Sequence, residues 1–229
     1  MGAFRIFIAD DHEVVRKGLC ALLEAQEGWE ICGEASDGRT AMDKVRELKP
    51  DVIILDIGMP DLNGLEATRQ ILKEDPRAKV LVLTLHDSDQ VVREVLNAGA
   101  RGFLLKTDAA RDLVVAVEAL RRDKTYFTSK VAAMVLEGYL KGGTHSVAVS
   151  MGRDRLTPRE REVVQLLAEG KSTKEVAVAL GLSVKTAETH RSNIMRKLQL
   201  HSVSDLVMYA VRNNIVHVVQ PALGNTGSD

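Results

Sequence analysis

The sequence is short of cysteine, of aromatic residues and of long apolar runs. Only two cysteines occur in 229 residues, Cys20 and Cys32, with no CxxC spacing and no histidine cluster beside them. That rules out a disulfide framework, argues against structural zinc, and leaves both thiols to apolar packing. Aromatic residues make up 3% of the chain. The longest apolar runs, such as Val52 to Leu55 and Val80 to Leu83, fall far below the roughly 20 residues that span a bilayer, so no membrane association is expected. The first ten residues lack the basic start, apolar stretch and cleavage site of a secretory signal, which makes the cytoplasm the expected compartment. An excess of one charge is missing as well, since 31 Lys and Arg face 32 Asp and Glu. With 45% hydrophobic and 28% charged residues, the chain reads as a folded soluble protein, long enough for one large domain or two ordinary ones.

The balanced total hides a division by position. Residues 1–128 carry 18 basic and 23 acidic residues, net −5, whereas residues 153–229 carry 11 and 8, net +3. A basic C-terminal part can face polyphosphate while an acidic N-terminal part does different work.

Hydropathy divides the chain in the same place. Apolar runs at Phe4–Ala9, Glu30–Ala35, Val52–Leu55, Val80–Leu83 and Gly102–Leu105 alternate with amphipathic stretches near 14–26, 38–48, 65–74, 89–98 and 109–121. Val-Ile-Ile-Leu and Val-Leu-Val-Leu show no polar alternation, so both faces of those strands must be covered, as in a parallel sheet wrapped by helices. Right-handed crossovers then favour an α/β doubly wound, five-stranded parallel sheet of flavodoxin-like order 2-1-3-4-5, with a ligand crevice at the carboxyl ends of its strands.

Beyond residue 122 the strand pattern stops. A short helix over Ser129–Leu140 and a Gly- and Ser-containing stretch to Asp154 read as a linker. Thr157-Pro158-Arg159-Glu160 is a capping box with proline at the first helical position, and Gly170 closes that helix. Ser172-Thr173-Lys174-Glu175 is a second capping box, opening a helix to Leu180. Gly181-Leu182-Ser183 turns into a longer helix from Val184 to about Leu198, and a last helix covers about 203–213. The expected parts are therefore 1–124, a linker at 125–153, a smaller all-α helix-turn-helix domain at 154–217 and a tail at 218–229.

Chemistry concentrates at the strand ends. Asp10 and Asp11 follow the first strand and Asp56 ends the third, its neighbour in the proposed sheet. Three converging carboxylates repel unless a cation joins them, and an all-oxygen set of this kind suits Mg2+. Thr84 ends the fourth strand and Lys106 follows the fifth. Together they supply the parts that accept, neutralise and sense a phosphoryl group, with Asp56 as the nucleophile.

The helix after Gly181 carries Ala187, Ile194 and Leu198 on one face, with Lys185, Glu188, Thr189, Ser192 and Arg196 on the other. After a short helix and a glycine turn, this is a helix-turn-helix whose second helix fits the major groove of double-stranded DNA. Lys185, Thr186, Arg191 and Lys197 suit phosphates, whereas Glu188, Thr189 and Ser192 point at base edges. Gly170-Lys171-Ser172 resembles the end of a P-loop, but residue 165 is Gln and a helix precedes it, so nucleotide binding is rejected there. The stripe of Val203, Leu206, Val207 and Ala210 reads either as core or as a surface that pairs with a second copy.

Asp10-Asp11, Asp56-Ile57-Gly58-Met59-Pro60 with Gly64, Thr84 and Lys106 resemble the receiver domain of two-component response regulators. With the C-terminal helices, nearly the whole chain is similar to the NarL/FixJ family with its LuxR-type helix-turn-helix. The resemblance implies Asp56 as phosphoacceptor for a sensor histidine kinase, Mg2+ held by Asp10, Asp11, Asp56 and the Gly58 carbonyl, and Lys106 paired with the phosphoryl group. It further implies Thr84 and Phe103 as a switch pair, with Phe103 turning inward, a homodimer through the last helix, and control of transcription, leaving room for RNA polymerase as a partner. A rival enzyme reading, a phosphohydrolase, expects Asp-x-Asp-x-Thr after the first strand, and Asp10-Asp11-His12-Glu13 does not match it. A phosphorylation-independent DNA binder would have no use for the set of five rim residues.

Overall fold

The computed structural model describes residues 2–85, 88–128, 131, 133 and 156–216. The chain falls into two compact units, Met1–Glu162 and Val163–Asp229, the division lying inside a helix. Most of the short helix expected at Ser129–Leu140, the linker up to Asp154 and the tail beyond 217 lie outside the described residues.

In the first unit, β1 (Phe4–Ala9), β2 (Trp29–Ala35), β3 (Val52–Asp56), β4 (Val80–Thr84) and β5 (Gly102–Leu105) form one sheet of order β2-β1-β3-β4-β5, every pair parallel. The helices between them are α1 (Glu13–Glu24), α2 (Gly38–Leu48), α3 (Gly64–Glu74) and α4 (Asp89–Ala98), and α5 (Ala109–Arg121) follows β5. Strand residues alternate between two cores. Phe7, Ala9, Ile53, Leu55, Val80 and Val82 meet Ala41, Val45, Ile71, Val92 and Val95 of α2, α3 and α4. Ile6, Ile8, Val52, Ile54, Leu81 and Leu83 meet Leu19, Leu23, Leu113, Val117 and Leu120 of α1 and α5. The uninterrupted apolar runs thus satisfy both faces of the sheet, as a doubly wound fold requires. The cysteines take opposite sides: Cys20 is buried in the second core and Cys32 packs against the first.

Side-chain caps set the helix starts. Asp37, Asn63 and Ser88 each accept the backbone N–H three residues on, opening α2, α3 and α4. One feature of the edge escaped the sequence reading. After α5 the chain returns beside β5, where Tyr126 N–H donates to the Arg101 carbonyl (3.0 Å) and Phe103 N–H donates to the Tyr126 carbonyl (2.9 Å). Phe127 and Val131 pack on the first core and Tyr126 on the second, so this short stretch caps an otherwise open sheet edge.

The remaining helices are α6 (Pro158–Ala168), α7 (Thr173–Ala179), α8 (Val184–Lys197) and α9 (Val203–Arg212). Both expected capping boxes form. Thr157 and Glu160 exchange bonds of 2.7 and 3.2 Å, and Ser172 and Glu175 exchange bonds of 2.8 and 3.3 Å. Gly170 and Gly181 adopt φ of +89° and +62°, left-handed values that a side chain would resist, and so turn the chain out of α6 and from α7 toward α8. Val176, Ala187, Ile194, Leu206 and Ala210 are among the buried residues of this unit. Among the described residues, no helix is long and apolar enough to cross a membrane.

Candidate functional site

The sheet order brings the ends of β1, β3, β4 and β5 to one rim, and the five expected residues meet there. Asp10, Asp56 and Thr84 are buried, and the side chain of Lys106 is only 6% exposed. The Lys106 ammonium lies 2.8 Å from Asp10 Oδ2 and 2.9 Å from Asp56 Oδ2, bridging two carboxylates that would otherwise repel across the gap between strands. Burial pushes the Asp56 carboxyl up to about 6, with Asp10 adding to the rise and Lys106 opposing it. Burial also acts to lower Lys106, but the charges of Asp56 and Asp10 outweigh it and hold the ammonium above its ordinary value.

The loop after β3 is shaped by glycine. A Cβ at Gly64 would stand 2.0 Å from the Asp56 carbonyl oxygen, so only glycine lets α3 start this close behind the acid. Gly64 N–H donates to the Ile57 carbonyl at 3.0 Å, and Gly58 occupies the half-buried bend between them.

Ligand atoms of Asp10, Asp11, Asp56 and His12 lie within 4.8 Å of one another. Asp10 Oδ2 is fully buried and meets the Lys106 ammonium at 2.8 Å, a cation the site already holds. Three hard carboxylate donors fit Mg2+. His12 was missed by the sequence reading. Its Nδ1 lies 2.7 Å from Asp11 Oδ1, and its backbone N–H donates to Asp10 Oδ1 at 2.9 Å. The signal was its place directly after the acid pair, at the N-cap of α1.

One expectation needs correction. Phe103, expected to turn inward on phosphorylation, is already inside, 1% exposed, against the core shared with α4. An apolar ring with no hydroxyl gains by burial and has no polar group to hold it at the surface.

In the second unit, Lys185, Thr186, Glu188, Thr189, Arg191, Ser192, Arg196 and Lys197 are all exposed on α8, while Ala187 and Ile194 are buried. The Ser183 hydroxyl caps α8 through Thr186 N–H at 3.0 Å. Thr189 Oγ1 donates to the Lys185 carbonyl at 2.9 Å, and Arg191 Nη1 approaches Thr173 Oγ1 at 3.4 Å, tying the two helices of the motif. On the α9 stripe, left open as core or as a pairing surface, Leu206 and Ala210 are 1% and 0% exposed, whereas Val203, at 51%, stands well out and Val207 is half-buried. A small helical domain has too few apolar side chains to spare its best ones for a partner.

A parallel sheet with an acid and lysine pocket at its strand ends, carried in one chain with a helix-turn-helix, defines a regulator that receives a signal and binds DNA. Residues 6–118 match the response regulator receiver domain, and residues 154–210 match the bacterial regulatory proteins of the luxR family. The chain belongs to the LuxR-type two-component response regulators, which regulate transcription. It is 41% identical over 213 residues to the transcriptional regulatory protein LiaR of Bacillus subtilis, covering 93% of this chain and 99% of that one. It is 37% identical over 212 residues to the response regulator VraR of Staphylococcus aureus, covering 93% and 98%. Among solved structures, RcsB of Salmonella typhimurium is similar at 28% identity and a TM-score of 0.60, covering 93% of this chain and 99% of that one. RcsB of Salmonella enterica serovar Typhimurium, bound to promoter rprA in the presence of the phosphomimetic BeF3-, is similar at 30% identity and a TM-score of 0.57, covering 91% and 98%.

Proposed function

We propose that Asp56 accepts a phosphoryl group from a sensor histidine kinase in the cytoplasm, and that this modification controls dimerisation and sequence-specific DNA binding. The observation that carries the reading is the Lys106 ammonium set 2.8 and 2.9 Å from Asp10 and Asp56 at the ends of β5, β1 and β3. An Asp56 carboxylate oxygen bonds to phosphorus, the donor's P–N bond breaks, and the donor imidazole leaves and takes its proton from solvent. Asp10, Asp11, Asp56 and the Gly58 carbonyl would hold Mg2+, which when bound shields the negative charge of the incoming phosphoryl oxygens. Lys106 gives up part of its pairing with Asp56 to meet those oxygens, and the Thr84 hydroxyl at the end of β4 would sense them. The switch would act on an existing equilibrium of the receiver, which phosphorylation needs to shift by only a few kcal/mol.

On this reading the chain does not turn over an external substrate. It takes one phosphoryl group and slowly hydrolyses it. The exposed residues of α8 meet a duplex, with Lys185, Thr186, Arg191 and Lys197 on phosphates and Glu188, Thr189 and Ser192 at base edges. The Thr189 hydroxyl bond to the helix backbone favours the threonine methyl as its outward contact, suited to a thymine methyl. A second copy would use the exposed Val203 rather than Leu206 and Ala210, and RNA polymerase is a further partner at the promoter.

The test is labelling by acetyl phosphate with Mg2+, run on the native chain and on Asp56→Asn. Stoichiometric, single-turnover labelling of the native chain and none of the variant is expected. Undiminished labelling of the variant would show that Asp56 is not the acceptor.

A further inference from the structure

We propose that Arg16 is a positioning residue for the acidic site, clamping the loop that carries Asp10 and Asp11. This rests on the phosphoacceptor reading above and names the part of the chain that holds the acids in register.

Asp10 is fixed at every atom but one by its neighbours in the chain and the sheet. Its N–H donates to the Ala35 carbonyl of β2 at 3.2 Å, its Oδ1 accepts from His12 N–H at 2.9 Å, and its Oδ2 faces Lys106 at 2.8 Å. What remains is its carbonyl, at the point where β1 has ended and no strand neighbour follows. Arg16 Nη1 donates to that carbonyl at 2.6 Å. Arg16 sits one turn into α1, where side chains lean toward the helix N-terminus, so a long one reaches back over the preceding loop.

The guanidinium is held at its other end. Arg16 Nε donates to Glu34 Oε2 at 3.0 Å, Lys17 Nζ holds Glu34 Oε1 at 2.8 Å, and Lys44 Nζ donates to the Glu34 carbonyl at 2.7 Å. Glu34 is the β2 residue opposite Ile8 and precedes Ala35, the residue that accepts from Asp10. One planar fork therefore spans α1, β2 and the end of β1. A lysine has a single nitrogen on a flexible stem and cannot hold both ends in fixed geometry. With the Arg16 side chain only 14% exposed, solvent competes weakly for these bonds.

Charge and position make opposite forecasts, which is what allows a test. Deleting a cation beside three carboxylates would, by Coulomb's law alone, tighten the site's hold on a divalent ion. Loss of a clamp weakens it, because groups that orient metal ligands typically contribute about 10- to 100-fold in affinity.

The experiment uses the full chain and two readouts: the rise in melting temperature with Mg2+, and the Mg2+ concentration that half-saturates acetyl-phosphate labelling. Arg16→Ala is expected to raise the half-saturating concentration about tenfold in both readouts. Arg16→Lys is expected not to restore it, and Arg46→Ala, which removes an exposed cation paired with Glu74 away from the site, is expected to leave it unchanged. A merely structural arginine would lower the melting temperature without Mg2+ and leave the half-saturating concentration where it was. Should Arg16→Ala not fold, Glu34→Gln keeps the guanidinium, loosens its hold and must move the concentration the same way by a smaller factor. A responsive native chain beside an unchanged or tightened Arg16→Ala, or an unchanged Glu34→Gln where Arg16→Ala does not fold, overturns the clamp alone. A native chain that shows no Mg2+ response in either readout overturns the phosphoacceptor reading and the clamp with it.

Discussion

The strand-end pocket and the face of α8 are both built from charged and hydroxyl side chains, yet they use charge in opposite ways. In the pocket, Asp10, Asp56 and Lys106 are withdrawn from water and bound to one another. On α8, Lys185, Arg191, Arg196 and Lys197 stand in solvent. Buried charge is coupled strongly to the packing around it, so changing one group there changes the whole receiver. Solvated charge contributes little to folding and can turn to a polyanion when one arrives. A receiver must be sensitive to a single covalent event, whereas a reading helix must keep its structure whether or not DNA is present.

Lysine deletions in the two regions give the sharpest contrast. Lys106→Ala leaves Asp10 and Asp56 buried and facing each other, and denaturant unfolding at pH 7.5 is expected to show a loss of about 3 kcal/mol. A loss as small as that of a surface lysine would erase the contrast.

Asp56→Asn is expected to act in the opposite direction. The Asp56 carboxyl is pushed up to about 6 in the native state, against an ordinary value of 3.8, so the folded chain binds its proton more tightly than the unfolded chain. That favours folding at low pH, and the advantage disappears as pH rises from about 4 through about 6. Without Mg2+, the asparagine variant is therefore expected to be more stable than the native chain by about 2 kcal/mol at pH 7.5 and to lose that gain below pH 4. Denaturant titrations at the two pH values measure it directly.

Changes on α8 should be felt in binding and not in folding. Lys185→Ala or Arg191→Ala is expected to weaken DNA binding about tenfold across operator sequences and to lower the salt slope by about 1, read by fluorescence anisotropy at several salt concentrations. Ser172→Ala removes the α7 cap and is expected to cost about 1 kcal/mol of stability. The smallest effect on folding is expected for Arg196→Ala, within about 0.5 kcal/mol by thermal melts, because its bond to Asn193 is exposed.

Much of this was legible in the residues alone. The runs at Val52–Asp56 and Val80–Thr84 have no polar alternation, which forced a covered parallel sheet, and the sheet order then delivered Asp10, Asp56, Thr84 and Lys106 to one rim. Capping boxes and left-handed glycines marked the C-terminal helices for the same reason, since backbone groups at helix ends need local partners. The edge stretch around Tyr126 was not legible, because a two-residue pairing carries no periodicity. Arg16 was hidden because its target is a backbone carbonyl, which is present at every position. The stripe on α9 stayed open because spacing puts Leu206 and Ala210 on one face without saying what that face meets.

By itself, the sequence determined which segments form strands and helices, where they stop and which carry reactive groups, since these depend on contacts within a few residues. Tertiary structure decided that Phe103 is already inside, that Leu206 and Ala210 belong to the core, and that Lys106 bridges two acids from different strands. Those outcomes depend on which distant surfaces exclude water from each other, and burial is a property of the assembled packing that no local pattern encodes.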